Sequence, residues 1–476
     1  MREPLGCLRF SKLPAAARGA RECRRYSAIV VVTAAPAVAP AEPTTARRPA
    51  DRLRTVLALG VWAAVVLVAH LWGEELVEQG RRIKLNAPPL VGRFDWRVGW
   101  STLLPVAMAA VVVWRGPALA ARLPWRRLLA VAFLAAGVWA VAVAFVDGWH
   151  GVMRSQLESP SEYLLDVPKV ESAGAFLDSF VDDIDQYVNH VRGHPPGLLL
   201  GLWGLDAAGL GGPRWTTALY VAGGAAAVPA VLVAMRSVAG DRRARVLAPF
   251  LVLAPATVWM ATSADALFAG VAAWAVALVV VATTASEWRA TAAAAAGGLL
   301  FGVALMLSYG LVLVAAVAGA VAVWRRRWRE PLVALVAAAA VLAAFAAVGF
   351  SWFDGLDATR REYAESIAST RPYAYFLVAN LAALAVATGP ATATALSRLR
   401  PSGLAVLVAG AGLAVLAADV SGLSKGEVER IWLPFTVWLL AATAVLVGPL
   451  GRSARGWLAA QAGLALLVES AVRTAW

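Results

Sequence analysis

Apolar runs long enough to cross a membrane as helices follow one another along this chain from residue 54 almost to its end. A membrane-spanning helix needs about 20 mostly apolar residues, because the hydrocarbon core is roughly 30 Å thick and a helix rises about 1.5 Å per residue. The runs that meet this measure are approximately 54–73, 99–115, 127–147, 215–236, 246–263, 265–285, 290–308, 310–325, 331–350, 376–396, 402–419, 431–449 and 456–473. They predict an all-α polytopic membrane protein with about 13 transmembrane helices.

The composition agrees with a membrane protein and argues against a nucleic-acid-binding one. Only 15% of the residues are charged, whereas a soluble domain carries about 25%. The net charge of +13 comes from short arginine clusters between apolar runs, which is typical of membrane topology and does not indicate a nucleic-acid partner. The first 53 residues are rich in Ala, Pro and Arg and hold both cysteines, Cys7 and Cys23. We therefore predict a disordered basic cytoplasmic tail over 1–53 and a multi-span membrane domain over 54–476.

The arginine clusters predict which ends of the spans face the cytoplasm, because basic residues are enriched on that side. The clusters are Arg115, Arg122, Arg126 and Arg127; Arg242, Arg243 and Arg245; Arg325, Arg326, Arg327 and Arg329; Arg398 and Arg400; and Arg452 and Arg455. This orientation places three longer loops, 147–196, 351–375 and 419–431, outside a cell membrane. The apolar segment 197–212 is short and Gly-rich, so it either does not cross or is offset by a further segment not recognised in the sequence.

The loop 147–196 concentrates titratable residues and holds three of the four histidines of the chain. Within it, apolar residues recur at helical spacing at Phe176, Leu177, Phe180, Val181, Ile184, Tyr187 and Val188. Asp178, Asp182 and Asp185 fall on another face. The pattern predicts an amphipathic helix that lies along the membrane surface as part of a structured cap. Gly193 and the pair Pro195-Pro196 are expected to end that helix and return the chain to the bilayer.

Four features of the chain resemble the GT-C class of membrane glycosyltransferases. An acidic residue, Asp147, ends an apolar run, and a long outside loop with a surface helix follows it. The element His194-Pro195-Pro196 then leads into the next apolar segment, and Asp265 follows another apolar run. The class contains protein O-mannosyltransferases, aminoarabinose transferases and actinobacterial cell-wall mannosyl- and arabinosyltransferases. The resemblance covers most of the chain after about residue 127, but two apparent spans precede that region, which leaves the subfamily and the sugar open.

The resemblance implies a sugar donor linked to polyprenyl phosphate, a cell-envelope glycan, lipid or protein as acceptor, and contact with membrane lipids. Sugar transfer needs a group that accepts the proton of the acceptor hydroxyl. Asp147, at the outer end of a span, is the first candidate for this base, and Glu162 and Asp166 are the reserves. The alternative interpretation of all three is an ordinary solvated carboxylate at a helix end or in a loop.

A donor phosphate needs cationic partners once it leaves bulk water. Arg430 precedes a span in the last long loop, with Glu427 or Glu429 near enough in sequence to orient it; the alternative is an ordinary interfacial arginine. Arg192 and His194 are secondary phosphate candidates. Further residues expected to shape the site are His190, Asp265, Glu427 and Tyr309. We assign no metal ligands, because Gly193 and Pro195 disfavour one helix through both histidines, although the resemblance leaves a divalent cation possible.

Two other functions remain open from the sequence. A transporter or lipid flippase also has many spans with isolated charged residues. Here the charges gather in outside loops instead of near the centres of the spans, which favours an enzyme that works at a surface. A catalytically inactive scaffold of envelope assembly is the second alternative, since each site residue was assigned from a short motif.

Overall fold

The structure, a computed structural model, describes residues 49–153, 156–447 and 452–474. Most of the tail predicted over 1–53 lies outside the described residues, and its last part, from residue 49, begins the first helix.

Helices make up nearly all of the described chain. In chain order they are α1 Pro49–Glu78, α2 Leu103–Arg122, α3 Trp125–Ala144, α4 Gly148–Met153, α5 Ala173–Ser179, α6 Asn189–Arg192, α7 Gly197–Ala207, α8 Pro213–Ala239, α9 Asp241–Val252, α10 Ala264–Ala282, α11 Glu287–Leu307, α12 Ala315–Arg325, α13 Arg329–Ala346, α14 Trp352–Glu365, α15 Tyr373–Leu396, α16 Gly403–Val420, α17 Val428–Ile431, α18 Leu433–Leu439 and α19 Arg452–Ala471. Two short strands, β1 Gly92–Phe94 and β2 Val472–Thr474, form one antiparallel pair in which Arg93 lies opposite Arg473.

Nine helices in the described ranges are long and apolar enough to cross a membrane. They are α1, α2, α3, α8, α10, α11, α13, α15 and α16. Three shorter apolar segments, Gly197–Ala207, Tyr309–Arg325 and Leu433–Val445, accompany them. The chain is therefore an all-α, multi-pass membrane protein, as the sequence predicted.

Chain segments that are distant in sequence meet at one end of the helix bundle, which we call the polar end. It comprises 86–102, 145–153, 156–196, 253–265, 426–432 and 469–474. The β1–β2 pair joins two of these segments. A hydrogen bond from the Val91 N–H to the Glu429 carboxylate, 2.9 Å long, joins two more. The polar end therefore includes 86–102, which the sequence analysis had not placed among the outside loops.

Arginines gather at the opposite end and bind the ends of helices there. Arg245 donates to the carbonyl oxygens of Ala120 and Leu123, at 2.9 and 2.8 Å, where α2 ends. Arg325 donates to the Ser237 carbonyl, at 2.6 Å, near the end of α8. Cations are favourable at helix C-termini, because the last carbonyl oxygens of a helix lack partners and carry partial negative charge.

The short helix α7 does not cross the bundle. Its 11 residues extend about 17 Å, which is little more than half of a hydrocarbon core of roughly 30 Å. Thr217, near the start of α8, donates to the Val152 carbonyl of α4 at 3.2 Å. The segment between α3 and α8 thus begins and ends at the same end of the bundle. Segment 197–212 is therefore not counted as a crossing.

One predicted span is not a continuous helix, and its non-helical part lies in the polar end. The sequence predicted a helix over 246–263, but α9 ends at Val252 and only a 3-10 turn, Pro255–Trp259, follows before α10. Pro255 cannot donate a helical hydrogen bond, which favours the break. Non-helical backbone at this depth is tolerated where it is buried in protein or lines a cavity, and Val258, Ala261 and Thr262 do line one.

The single surface helix predicted over 176–188 was wrong. Helix α5 ends at Ser179, and a turn, the 3-10 segment Ile184–Gln186 and α6 follow. The apolar side chains pack on protein instead of lipid: the Phe180 ring stacks on Tyr187 at 5.5 Å and meets Phe350 edge-on at 5.6 Å. Because these tertiary contacts bury the apolar face, the chain gains nothing from a continuous helix on the membrane surface. The loop is nevertheless structured, as predicted.

Candidate active site

A cavity of about 300 Å³ opens in the polar end, which we call the acidic cavity. Its lining is Arg97, Ala144, Asp147, His150, Gly151, Gln156, Val258, Ala261, Thr262, Glu469, Arg473 and Thr474. It thus takes residues from the end of α3, from α4, from the segment that follows α9 and from the end of α19. Its volume lies at the lower end of the range for small-molecule sites, about 300–1,000 Å³.

Two glycines set the position of Asp147 on the wall of this cavity. Helix α3 continues as a 3-10 turn, Phe145–Asp147, and Gly148 ends that turn with φ +70°, in the left-handed region that favours glycine. Helix α4 then packs directly over Asp147, since a Cβ on Gly151 would lie 2.5 Å from the Asp147 Cβ. The Asp147 side chain keeps 29% of its surface exposed, so a bound molecule can reach its carboxylate.

Arg97 clamps the acidic cavity from its other side. Its guanidinium contacts the carboxylate of Asp147, approaches Glu469 Oε1 at 3.4 Å and donates to the Val472 carbonyl at 2.7 Å. Its own backbone N–H donates to the Ser470 carbonyl at 2.7 Å. One buried guanidinium therefore joins the segment before α2, the end of α3 and the end of α19. It also leaves two carboxylates sharing a single cation.

A second charged cluster, the Arg430 cluster, lies beside the cavity and consists of Arg430, Asp265, Glu427, His190 and Glu162. Arg430 is buried and donates to Asp265 Oδ2 at 2.6 Å and to the Glu427 carboxylate. Burial raises the pKa of Glu427, but the charge of Arg430 and its hydrogen bond outweigh it and hold that pKa below its usual range. Buried charges need such close pairing, so the cluster is a fixed network of charges.

Within the cluster, His190 connects Arg430 with Glu162. The His190 Nδ1 lies 2.9 Å from Glu162 Oε1, and Arg430 Nη2 approaches His190 Nε2 at 3.4 Å. Because arginine can only donate, this contact requires Nε2 to accept, which places the proton of a neutral imidazole on Nδ1, facing Glu162. His190, which was predicted to shape the site, is thus in contact with Arg430, which was predicted to bind the phosphate.

The acidic cavity and the Arg430 cluster are neighbours, because consecutive residues of the chain line them. Thr262 lines the acidic cavity, whereas Ser263 and Asp265 line a small void of about 10 Å³ in contact with Arg430. Ser263 caps α10 by accepting from the Asp265 N–H at 3.2 Å. The rigid start of α10 therefore separates the network of charges from the open cavity.

The remaining predicted site residues occupy other places at this end. Asp166 is fully buried, pairs with Lys169 at 2.7 Å and accepts from the Val188 N–H at 2.7 Å, so it pins the loop. Arg192 pairs with Glu362 of α14 at 3.1 Å.

The structure does not bring Tyr309 to either charged group. Its ring meets Trp352 edge-on at 5.3 Å.

His194 lines the void beside Arg430, and burial lowers the pKa of His194 to about 4. Its imidazole is therefore neutral near neutral pH.

Three cavity residues were missed in the sequence: Arg97, Glu469 and Arg473. Glu469 carried a usable signal, because an acidic residue inside an apolar run is costly unless it faces a polar site. Arg97 lies in the segment between the first two spans, where a basic residue runs against the positive-inside tendency. Their proximity to Asp147 depends on tertiary contacts, which the sequence does not display.

The residues present do not form a ready site for the divalent cation that the resemblance allowed. Across the described ranges, no three His, Cys, Asp or Glu side chains converge as a metal-holding group. Asp147 and Glu469 are close, but they already share the guanidinium of Arg97. We therefore derive no chemical step from a metal.

Compared with known proteins, the chain matches no protein-family model, and no curated protein matches it. Function is therefore inferred from the chemistry and geometry of the polar end.

Proposed function

We propose that this protein is a membrane glycosyltransferase of GT-C type that works at the polar end. It moves a sugar from a polyprenyl-phosphate donor to a glycan, lipid or protein acceptor of the cell envelope. In this proposal the chain crosses the membrane 13 times, with the broken segments counted as crossings, and the polar end faces outside.

The observation that carries the proposal is the accessible carboxylate of Asp147 on the wall of a cavity at the end of a span. A lipid-linked donor resides in the bilayer and its acceptor arrives from the aqueous side, so a shared site belongs at such an end. A base held rigidly at this position can act on an acceptor without moving into the bilayer.

The reaction balances with the groups in the cavity. The acceptor hydroxyl oxygen forms a bond to the anomeric carbon of the sugar, while the bond between that carbon and the phosphate oxygen breaks. The hydroxyl proton passes to Asp147, and polyprenyl phosphate leaves with the bonding electron pair. Arg97 contacts the Asp147 carboxylate and holds it in place, and the same guanidinium also contacts Glu469.

The Arg430 cluster supports this site from behind. Its carboxylates surround Arg430, so a donor phosphate there would meet Asp265 and Glu427 at close range. We assign the cluster to holding the start of α10 and the segment around His190 against each other, next to the cavity.

The test is a transfer assay in proteoliposomes with a panel of radiolabelled polyprenyl-phosphate sugars and envelope-fraction acceptors. The proposal expects time-dependent transfer of label from at least one donor to an acceptor, and none in protein-free vesicles. A folded protein that transfers no sugar from any donor contradicts it. Movement of label across the membrane without a new bond would instead assign a transporter.

A further inference from the structure

A second and larger cleft opens next to the acidic cavity at the same end. Its volume is about 840 Å³, and it lies between α4 and the start of α8. Its lining is Trp149, His150, Met153, Gly211, Pro213, Arg214 and Trp215. His150 lines both the cleft and the acidic cavity, so the two spaces are neighbours with one side chain at their junction.

The cleft differs from the acidic cavity in charge. Its lining carries Arg214 and His150, and the Asp206 carboxylate lies behind Gly211 in its wall, whereas Asp147 and Glu469 line the acidic cavity itself. Arg214 is exposed and lies in the first turn of α8, a helix of 27 residues. The free N–H groups of that turn add partial positive charge on the same side. The cleft is thus suited to an anion.

The other arginines of the polar end that face a cavity are already neutralised by acidic side chains. Arg97 contacts both carboxylates of the acidic cavity. Arg473 pairs with Asp95 at 3.2 Å. Arg430 is surrounded by Asp265 and Glu427. A phosphate brought to any of these would meet negative charge first, which leaves Arg214 as the favourable partner among the described arginines that line a cavity at this end of the bundle.

Two tryptophans place the cleft at the level of lipid headgroups. Trp149 lies in α4 and is 62% exposed, and Trp215 lies in the first turn of α8 and is 49% exposed. Exposed tryptophans at the ends of membrane helices prefer the interface between headgroups and hydrocarbon. The bond from Thr217 to the Val152 carbonyl holds the two walls together. A ligand of this cleft therefore has its polar part at the interface and any apolar tail in the bilayer.

We infer that this cleft binds the phosphate of the prenyl-phosphate donor, with Arg214 as its cation and the gap beside His150 as the passage of the sugar towards Asp147. The inference rests on the proposed function, which it deepens by assigning the donor site. It differs from the prediction made from the sequence, in which Arg430 binds the donor phosphate.

Binding is measured without acceptor, so that it does not depend on turnover. A photoreactive prenyl phosphate is incorporated into proteoliposomes of phosphatidylcholine with wild-type protein, and crosslinked peptides are identified by mass spectrometry. We expect crosslinks within 148–153 and 211–217, competed by unlabelled prenyl phosphate and not by prenyl alcohol, inorganic phosphate or phosphatidylglycerol. Equal competition by phosphatidylglycerol would show a general anionic-lipid surface and overturn the assignment.

The arginine is tested by Arg214→Gln, with Arg360→Gln as a matched exposed arginine of α14. Because the contact between a guanidinium and a phosphate is charge-assisted, Arg214→Gln should weaken binding about tenfold or more. Arg214→Lys should restore most of it, and Arg360→Gln should bind as wild type. Unchanged binding in Arg214→Gln would refute the inference. Specific binding by a protein that transfers no sugar would instead refute the proposed function and leave the cleft assigned.

Discussion

The guanidinium of Arg97 contacts the carboxylate of Asp147 and so ties the segment before α2 to the turn that ends α3. The same guanidinium reaches Glu469 and the carbonyl oxygens that follow it, next to the β1–β2 pair. The position of the proposed base is thus set by residues that are far apart in the sequence.

Replacing Arg97 should impair both stability and activity. In Arg97→Gln, the buried Glu469 and the Val472 carbonyl lose the guanidinium that contacts them, and a buried polar group left without its partner costs about 1–3 kcal/mol. We expect a lower midpoint of thermal unfolding in detergent and a lower transfer rate. The control is Arg93→Gln, whose side chain is 65% exposed and should behave as wild type. Equal midpoints for the two variants would show that the Arg97 contacts do not stabilise the fold.

Gly151→Ala should reduce transfer without unfolding the protein. The added Cβ would come within 2.5 Å of the Asp147 Cβ, so the carboxylate must shift, and a displacement of about 1 Å can cost roughly a hundredfold in rate. Gly174→Ala in α5 is the matched control, because no atom lies within 4 Å of its added Cβ. A Gly151→Ala protein with the wild-type rate would mean that the position of Asp147 does not limit transfer.

Arg430 should act as the partner of the buried Asp265 and the half-buried Glu427, and removing the Asp265 charge should partly offset the loss of Arg430. Arg430→Gln leaves Asp265 and Glu427 without their cation and should destabilise the protein by about 3–5 kcal/mol. In the double variant Arg430→Gln/Asp265→Asn, one unpaired charge is gone, so part of the loss should be recovered. The unfolding midpoints of the two single variants and the double variant test this coupling. Strictly additive losses would argue against it.

Glu429 should make the fold less stable as the pH rises. It is fully buried and accepts from the Val91 N–H, and burial raises its pKa from 4.5 to about 7. The folded protein therefore holds the proton more tightly than the unfolded chain. Its contribution is complete below pH 4.5, is lost between pH 4.5 and about 7, and amounts to about 3 kcal/mol.

Glu429→Gln removes this dependence and keeps the acceptor for Val91. Unfolding midpoints of the variant and the wild type are compared across the same range of pH. We expect the advantage of the variant to grow with pH up to about 7 and then to level off. Parallel curves would show that the ionisation of Glu429 does not limit stability.

Much of the fold could be predicted from the sequence, because a membrane-spanning helix is recognised by the apolar composition of its own residues. The predicted span 265–285 corresponds to α10, Ala264–Ala282, and Asp147 does end α3 through a short turn. The break after α9 was not predicted, because apolar residues on both sides of Pro255 extend the run. The helix predicted through Phe180 failed because its spacing cannot distinguish lipid from protein as the covering partner.

The charged groups were predicted in part. Arg430, Asp265 and His190 were each singled out, yet their mutual contact joins residues up to 240 positions apart. No local pattern encodes such a pairing. Arg97 and Glu469 were missed for the same reason, although an acid in the last apolar run was a visible anomaly.

The most direct test of the central claim compares Asp147→Asn with Asp185→Asn in proteoliposomes, using the donor that the transfer assay identifies. Both changes remove one carboxylate from the polar end, but Asp185 is exposed and lines neither the acidic cavity nor the cleft. Loss of a general base costs about 10²–10⁴ in rate. We predict a fall of that size in the transfer rate of Asp147→Asn, with donor binding retained and Asp185→Asn unchanged. Transfer by Asp147→Asn at the rate of Asp185→Asn would contradict the account.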